Sequence, residues 1–159
     1  MDNISNIYNV ALVPVDTIAK DSFTEIAQVN FSDHCDGYLL GHDALPHVTL
    51  CQFDCTEDKL ETIWSSIVAE FQQNYNIEFD GIYLNPGSHR HHNYIWTGIS
   101  VRRSSELINL QSRINSSLKR QQITTLTSTG EEYFPHLTLA RIRSVDQLKY
   151  PDHSLFNAS

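Results

Sequence analysis

Apolar residues recur along the chain at two different spacings, and each spacing predicts one type of element. Spacings of three and four follow Thr56 and Ser104, two residues suited to cap a helix N-terminus, and a further helical pattern covers residues 17–29. We therefore predict three helices that pack against a sheet, with Trp64 in the core. The two clearest apolar stripes consist of Leu60, Ile63, Trp64, Ile67, Val68 and Phe71, and of Leu107, Leu110, Ile114 and Leu118.

Shorter runs rich in β-branched and aromatic residues lie between these helices and predict strands. Each half of the chain places a long helix and strands around one strand of repeated sequence. We therefore predict a pseudo-duplicated α+β fold that forms a single domain over residues 1–159. The predicted strands cover residues 7–15, 37–40, 47–53, 76–84, 94–101 and 135–142.

The repeated strand sequence is Pro-His-apolar-Thr-Leu, with its histidine at His47 in the first copy and at His136 in the second. Alternate side chains of a strand point to opposite faces, so His47 shares a face with Thr49, and His136 shares one with Thr138. Each strand therefore has a polar face and a packing face. Two imidazoles and two hydroxyls that face one another are suited to acid-base chemistry on a phosphodiester.

Length and charge limit the classes of partner. A chain of 159 residues with 40% hydrophobic residues is large enough to bury a core. It has no apolar run of membrane-spanning length and no secretory signal at its start, so we expect a cytoplasmic protein without a membrane partner. We also expect a monomer. The formal charge of −8 argues against tight binding to long duplex nucleic acid, and it favours a small nucleotide or a single-stranded RNA end.

The cysteines and the remaining histidines give weaker signals. Cys35, Cys51 and Cys55 are an odd number without zinc-ligand spacing, which argues against a disulfide framework. The pair Cys51 and Cys55 could bind a metal, but no second ligand pair accompanies it, so we predict neither a metal nor another cofactor. The histidine-rich loop at residues 88–93 could reach a substrate phosphate or be only solvated.

The two motif copies resemble those of the two-histidine (2H) phosphoesterase superfamily, which includes the RNA 2′,3′-cyclic phosphodiesterases, also called 2′-5′ RNA ligases. The superfamily pattern is His, apolar, Thr or Ser, apolar, written twice, and both copies in this chain match it at every position. The resemblance implies two lobes of antiparallel sheet with outer helices and a central cleft that holds both motifs. It also implies metal-independent hydrolysis of 2′,3′-cyclic phosphates or 2′-5′ phosphodiesters.

The resemblance also implies roles for the four polar motif residues. His47 and His136 would transfer protons as general base and general acid, and the sequence leaves open which of them takes which role. Thr49 and Thr138 would donate hydrogen bonds to the non-bridging phosphate oxygens, where negative charge builds up.

Two tyrosines are further candidates for substrate contact. Tyr133 lies just before the second motif and Tyr8 lies on the first predicted strand, so either ring could stack on a base, with packing as the alternative role. The alternative function for the whole chain is a catalytically silent module of the same fold that binds a nucleotide or an RNA end.

Overall fold

The computed structural model describes residues 5–41, 43–71, 74–88 and 91–143, and their regular elements are those of an α+β protein. The six strands form an antiparallel sheet, which confirms the predicted α+β class, while the internal duplication, the two lobes and the central cleft stay predictions. In chain order the elements are β1 (Ser5–Leu12), α1 (Thr17–Phe31), β2 (Cys35–Leu39), β3 (Val48–Thr56), α2 (Glu57–Val68), β4 (Phe79–Pro86), β5 (Ile95–Val101), α3 (Ser105–Arg120), a 3₁₀ turn (Gly130–Glu132) and β6 (His136–Ile142).

Strand β6 is the central element of the sheet. The strands follow the order β1-β3-β6-β5-β4, and β2 also pairs with β6. The pairs of β2, β3 and β5 with β6 are antiparallel, as is the pair of β4 with β5. Both motif strands, β3 and β6, are therefore direct neighbours through the pair of Val48 with Leu137.

The chain divides into two compact units, each made of several chain segments. The first unit contains β1, Thr49–Glu78 and Arg102–Pro135. The second contains Val13–Val48, Phe79–Val101 and the described residues from β6 onward. Helices α2 and α3 thus belong to the first unit and α1 to the second, and the boundary cuts the first motif after Val48.

The core of the first unit includes the contact between α2 and α3. Helix α3 begins as predicted, because the Ser104 side chain accepts a hydrogen bond from the Leu107 backbone N–H, and the predicted α3 stripe is buried. In α2 only Ile63 and Ile67 are buried. The prediction for Trp64 is wrong, since it is 52% exposed: one helical step of about 100° carries it off the face that Ile63 presents to the core.

Helix α1 packs on β6 and β2 in the second unit. Asp16 caps its N-terminus by accepting from the Ile18 backbone N–H at 3.0 Å, and Ala27 and Phe31 are its buried residues. Strand β1 ends at Leu12 rather than at residue 15, because Pro14 lacks the N–H that a strand ladder requires. No helix within the described ranges is both long and apolar enough to cross a membrane.

Candidate functional site

The second motif occupies the start of β6. His136 is the first residue of the strand and Thr138 lies two residues further, so their half-buried side chains share one face. Leu137 and Leu139 are buried on the opposite face. The alternation of a polar and a packing face, which was predicted from the sequence, is therefore observed in this strand.

The first motif begins one residue before β3. His47 precedes Val48, which pairs with Leu137. Because the two strands are antiparallel, the residue before Val48 lies on the same side of this pair as the residue after Leu137, which is Thr138. His47 Nδ1 lies 2.8 Å from the Leu45 carbonyl oxygen, which can only accept a hydrogen bond. Nδ1 therefore carries a proton, and Nε2 is the nitrogen of the neutral ring that can accept one.

Thr49 continues the first motif within the first unit. Asn9 Nδ2 donates a hydrogen bond to Thr49 Oγ1 over 3.2 Å, and the Tyr133 hydroxyl donates to the Thr49 carbonyl oxygen over 2.7 Å. Because the Thr49 hydroxyl accepts from Asn9, its own hydrogen can be donated to a further acceptor. The half-buried Thr49 side chain is thus held by Asn9 of β1, and its backbone carbonyl is held by Tyr133.

Tyr83 of β4 contacts the second motif, although the sequence did not predict it as a site residue. Its hydroxyl lies 2.9 Å from Thr138 Oγ1, and its ring meets the His136 ring edge to face with the centroids 4.8 Å apart. Tyr83 therefore contacts both polar side chains of the second motif. Burial raises the pKa of its phenol above the usual value of 10.0, so the hydroxyl stays protonated near neutral pH.

Gly98 allows Tyr83 to reach the motif from two strands away. Tyr83 pairs with Gly98 across β4 and β5, and Gly98 pairs with Thr138 across β5 and β6. A Cβ atom at position 98 would overlap the Leu137 carbonyl oxygen and lie 2.8 Å from Tyr83 Cε1. A glycine inside an apolar strand is the sequence signal for such a close approach, although it does not identify the approaching residue.

The comparison with known families agrees with this arrangement. The family model of the 2′-5′ RNA ligase superfamily matches residues 14–152, a range that contains both motifs. The chain belongs to the 2′-5′ RNA ligase superfamily. This is the 2H phosphoesterase superfamily, so the resemblance inferred from the motifs is confirmed. Among curated proteins, none matches the chain with significance.

The two tyrosines proposed for base stacking differ in their burial in this 2′-5′ RNA ligase superfamily member. Tyr133 is 2% exposed, so its ring has no open face for a base, and the predicted stacking role does not fit its position. The hydroxyl of this buried ring donates to the Thr49 carbonyl, which satisfies its hydrogen-bonding capacity inside the protein. Tyr8 is half-buried and stacks on Phe53 with the ring centroids 5.9 Å apart, and its contact with a base stays a prediction.

The histidine-rich loop of this superfamily member is anchored by Arg141. The Arg141 guanidinium donates to the Asp36 carbonyl at 2.6 Å and lies 4.3 Å from the centre of the Tyr94 ring. Its Nη1 lies 3.0 Å from His91 Nδ1, and a guanidinium only donates, so His91 Nδ1 accepts. His91 therefore has a structural contact, whereas His89 of the same loop lies outside the described residues.

The cysteine pair is a poor candidate for metal binding. Cys51 and Cys55 are buried in β3, and burial raises the pKa of the Cys51 thiol to about 12, so it stays protonated at neutral pH. A metal-binding cysteine must be a thiolate. Across the described ranges, no group of three or more His, Cys, Asp or Glu side chains is arranged to hold a metal ion.

Proposed function

We propose that this superfamily member is a phosphodiesterase that hydrolyses 2′,3′-cyclic phosphate or 2′-5′ phosphodiester bonds without a metal ion. His47 and His136 serve as its general base and general acid. The observation that carries the proposal is the pairing of Val48 with Leu137, which makes the two motif strands direct neighbours. Membership in the superfamily supports phosphoester chemistry as the reaction class.

In the proposed reaction, one histidine removes a proton from water as the water oxygen attacks phosphorus. The bond from phosphorus to a ribose oxygen breaks, and the other histidine protonates that leaving oxygen. The Leu45 carbonyl holds the His47 ring so that Nε2 is the atom that exchanges the proton. One ring must be neutral and the other protonated, so the rate has a bell-shaped dependence on pH.

The two threonines stabilise the charge that develops on the phosphate. Thr49 and Thr138 donate their hydroxyl hydrogens to non-bridging oxygens, as a preorganised oxyanion site does. The Asn9 bond to Thr49 supports this role, because it occupies a lone pair of the hydroxyl and leaves the hydrogen to be donated. Loss of one such donor typically lowers kcat by about 10²–10³.

The substrate class follows from charge and from the superfamily. A net charge of −8 disfavours many phosphate contacts, so we infer a small nucleotide or a single-stranded RNA end as substrate. Tyr8 is the remaining candidate for stacking on its base. Cytoplasmic location and a monomeric state stay predictions.

Turnover by three histidine variants tests the proposal. His47→Ala and His136→Ala are each expected to lower kcat/KM on 2′,3′-cyclic mononucleotides and 2′-5′ dinucleotides by about 100-fold or more. His34→Ala is the control, because His34 follows α1 and belongs to neither motif. All assays contain a metal chelator, and product identification shows whether the 2′- or the 3′-phosphate remains.

The outcomes separate the functions. Chelator-resistant turnover that is lost in both motif variants and retained in His34→Ala supports the proposal. If the wild-type protein binds nucleotides but turns over neither the 2′,3′-cyclic mononucleotides nor the 2′-5′ dinucleotides, the catalytically silent module is indicated instead. Turnover that requires a metal ion overturns the mechanism.

A further inference from the structure

We infer that Tyr83 is a positioning residue for the phosphate: it donates its hydroxyl hydrogen to Thr138 and thereby directs the Thr138 hydrogen toward the substrate. The inference rests on the proposed function, since it assumes that Thr138 contacts a phosphate oxygen. It extends that function to β4, which carries neither motif. The observation behind it is the 2.9 Å contact between the Tyr83 hydroxyl and Thr138 Oγ1.

The chemistry of the two hydroxyls decides which one donates. Geometry alone allows either direction. A phenol, with a pKa near 10, is a much stronger acid than an aliphatic alcohol and therefore the better donor. Its oxygen is the poorer acceptor, because its lone pairs are delocalised into the ring. When Tyr83 donates, the single hydrogen of Thr138 is available for a phosphate oxygen.

The surroundings of Tyr83 make this bond well defined. The side chain is 8% exposed, so little water competes for the hydroxyl. Gly98 lies between Tyr83 and Thr138 in the sheet, and because glycine has no side chain, it leaves room for the Tyr83 ring. The edge-to-face contact with His136, at an interplanar angle of 68°, also restricts the rotation of the imidazole.

The first motif offers an independent parallel in the other unit. Thr49 Oγ1 accepts from Asn9 Nδ2, and an amide NH₂ group can only donate. Thr49 is therefore already an acceptor from the protein and a donor toward any ligand. The same polarity at Thr138 gives both motif threonines the same relation to the protein: each accepts from a side chain of another strand and keeps its hydrogen for the substrate.

A double-mutant cycle tests the inference. Tyr83→Phe keeps the ring and removes only the hydroxyl, and we expect it to lower kcat/KM about tenfold, which corresponds to the loss of one hydrogen bond. Thr138→Val is expected to lower it at least as much. The double variant is expected to be no worse than Thr138→Val alone, because Tyr83 acts through the Thr138 hydroxyl.

A matched control separates positioning from general stability. Tyr75→Phe also removes a tyrosine hydroxyl that bonds to another side chain, the guanidinium of Arg113 at 3.3 Å, but it lies in the first unit and in neither motif. Both Phe variants are expected to change Tm by similar small amounts. Only Tyr83→Phe should lower kcat/KM, and its pH profile should keep the wild-type shape because the ring against His136 remains.

Each outcome decides the matter. If the wild-type protein turns over its substrate, the proposed function stands. The inference is then overturned if Tyr83→Phe keeps full activity, or if the losses of kcat/KM in Tyr83→Phe and Thr138→Val simply multiply in the double variant. If the wild-type protein shows no turnover, the proposed function fails, and the same cycle is measured by calorimetric binding of adenosine 2′-monophosphate. Non-additive binding losses then support the Tyr83 role, and additive losses or no binding overturn it.

Discussion

Replacing Gly98 with alanine perturbs the sheet at the point where Tyr83 crosses β5. The new Cβ atom would overlap the Leu137 carbonyl oxygen and lie 2.8 Å from Tyr83 Cε1 and 2.9 Å from Thr138 Cα. Ordinary contacts of a Cβ atom are 3.4–4 Å, so all three neighbours must move. Two of them are backbone atoms of β6, and no change of rotamer relieves contacts with a backbone.

The size of the effect follows from two terms. Insertion of a methyl group into a well-packed region costs about 1–3 kcal/mol, and loss of the hydrogen bond between Tyr83 and Thr138 adds about 1 kcal/mol. For a chain of this length each kcal/mol shifts Tm by roughly 2–4 °C. We therefore expect Gly98→Ala to lower Tm by roughly 4–16 °C, and kcat/KM on the proposed substrates to fall at least about tenfold.

The assay is thermal unfolding followed by circular dichroism, together with turnover at a temperature where the variant stays folded. Gly81→Ala is the control in the same pair of strands, because its Cβ would lie 3.1 Å from the Ser100 Oγ, a side-chain atom that can rotate away. We expect Gly81→Ala to cost less than about 1 kcal/mol. Equal Tm and turnover for the two alanine variants would refute the role assigned to Gly98.

Two further predictions concern buried groups of β3 and β5. Thr97 is fully buried, and its hydroxyl has no hydrogen-bond partner among the described residues, so Thr97→Val should raise the free energy of unfolding by about 1 kcal/mol in urea titrations; a decrease would contradict this. The Cys51 pKa rises from 9.0 in the unfolded chain to about 12 in the folded protein, so stability should fall above pH 9 by up to about 1.4 kcal/mol per pH unit. Cys51→Ala should flatten that slope, and an unchanged slope would count against the burial of a protonated thiol.

Local signals in the sequence predicted most of the elements. The predicted cap at Ser104 is observed with its side-chain hydrogen bond, whereas Thr56 caps α2 without one, and α1 begins at the predicted residue. Such caps depend on groups two or three residues apart, so the sequence contains all the participants. For α2 the apolar stripe predicted a wider buried face than the structure has, since Trp64 is exposed. The width of the buried face depends on which elements pack against the helix, and this is not contained in the local sequence.

The repeated motif, its polar and packing faces, and membership in the superfamily were determined by the sequence alone, because alternation along a strand is a property of the backbone. Tertiary structure decided which other residues support the motif. Tyr83 is 55 residues from Thr138 in the chain, and its contact depends on the register of three strands and on the space left at Gly98. The bond of the buried Tyr133 hydroxyl to the Thr49 carbonyl likewise joins residues that lie 84 positions apart in the chain. The spacing of apolar and polar residues along the sequence does not predict such contacts, because strand register is set by long-range pairing rather than by neighbouring residues.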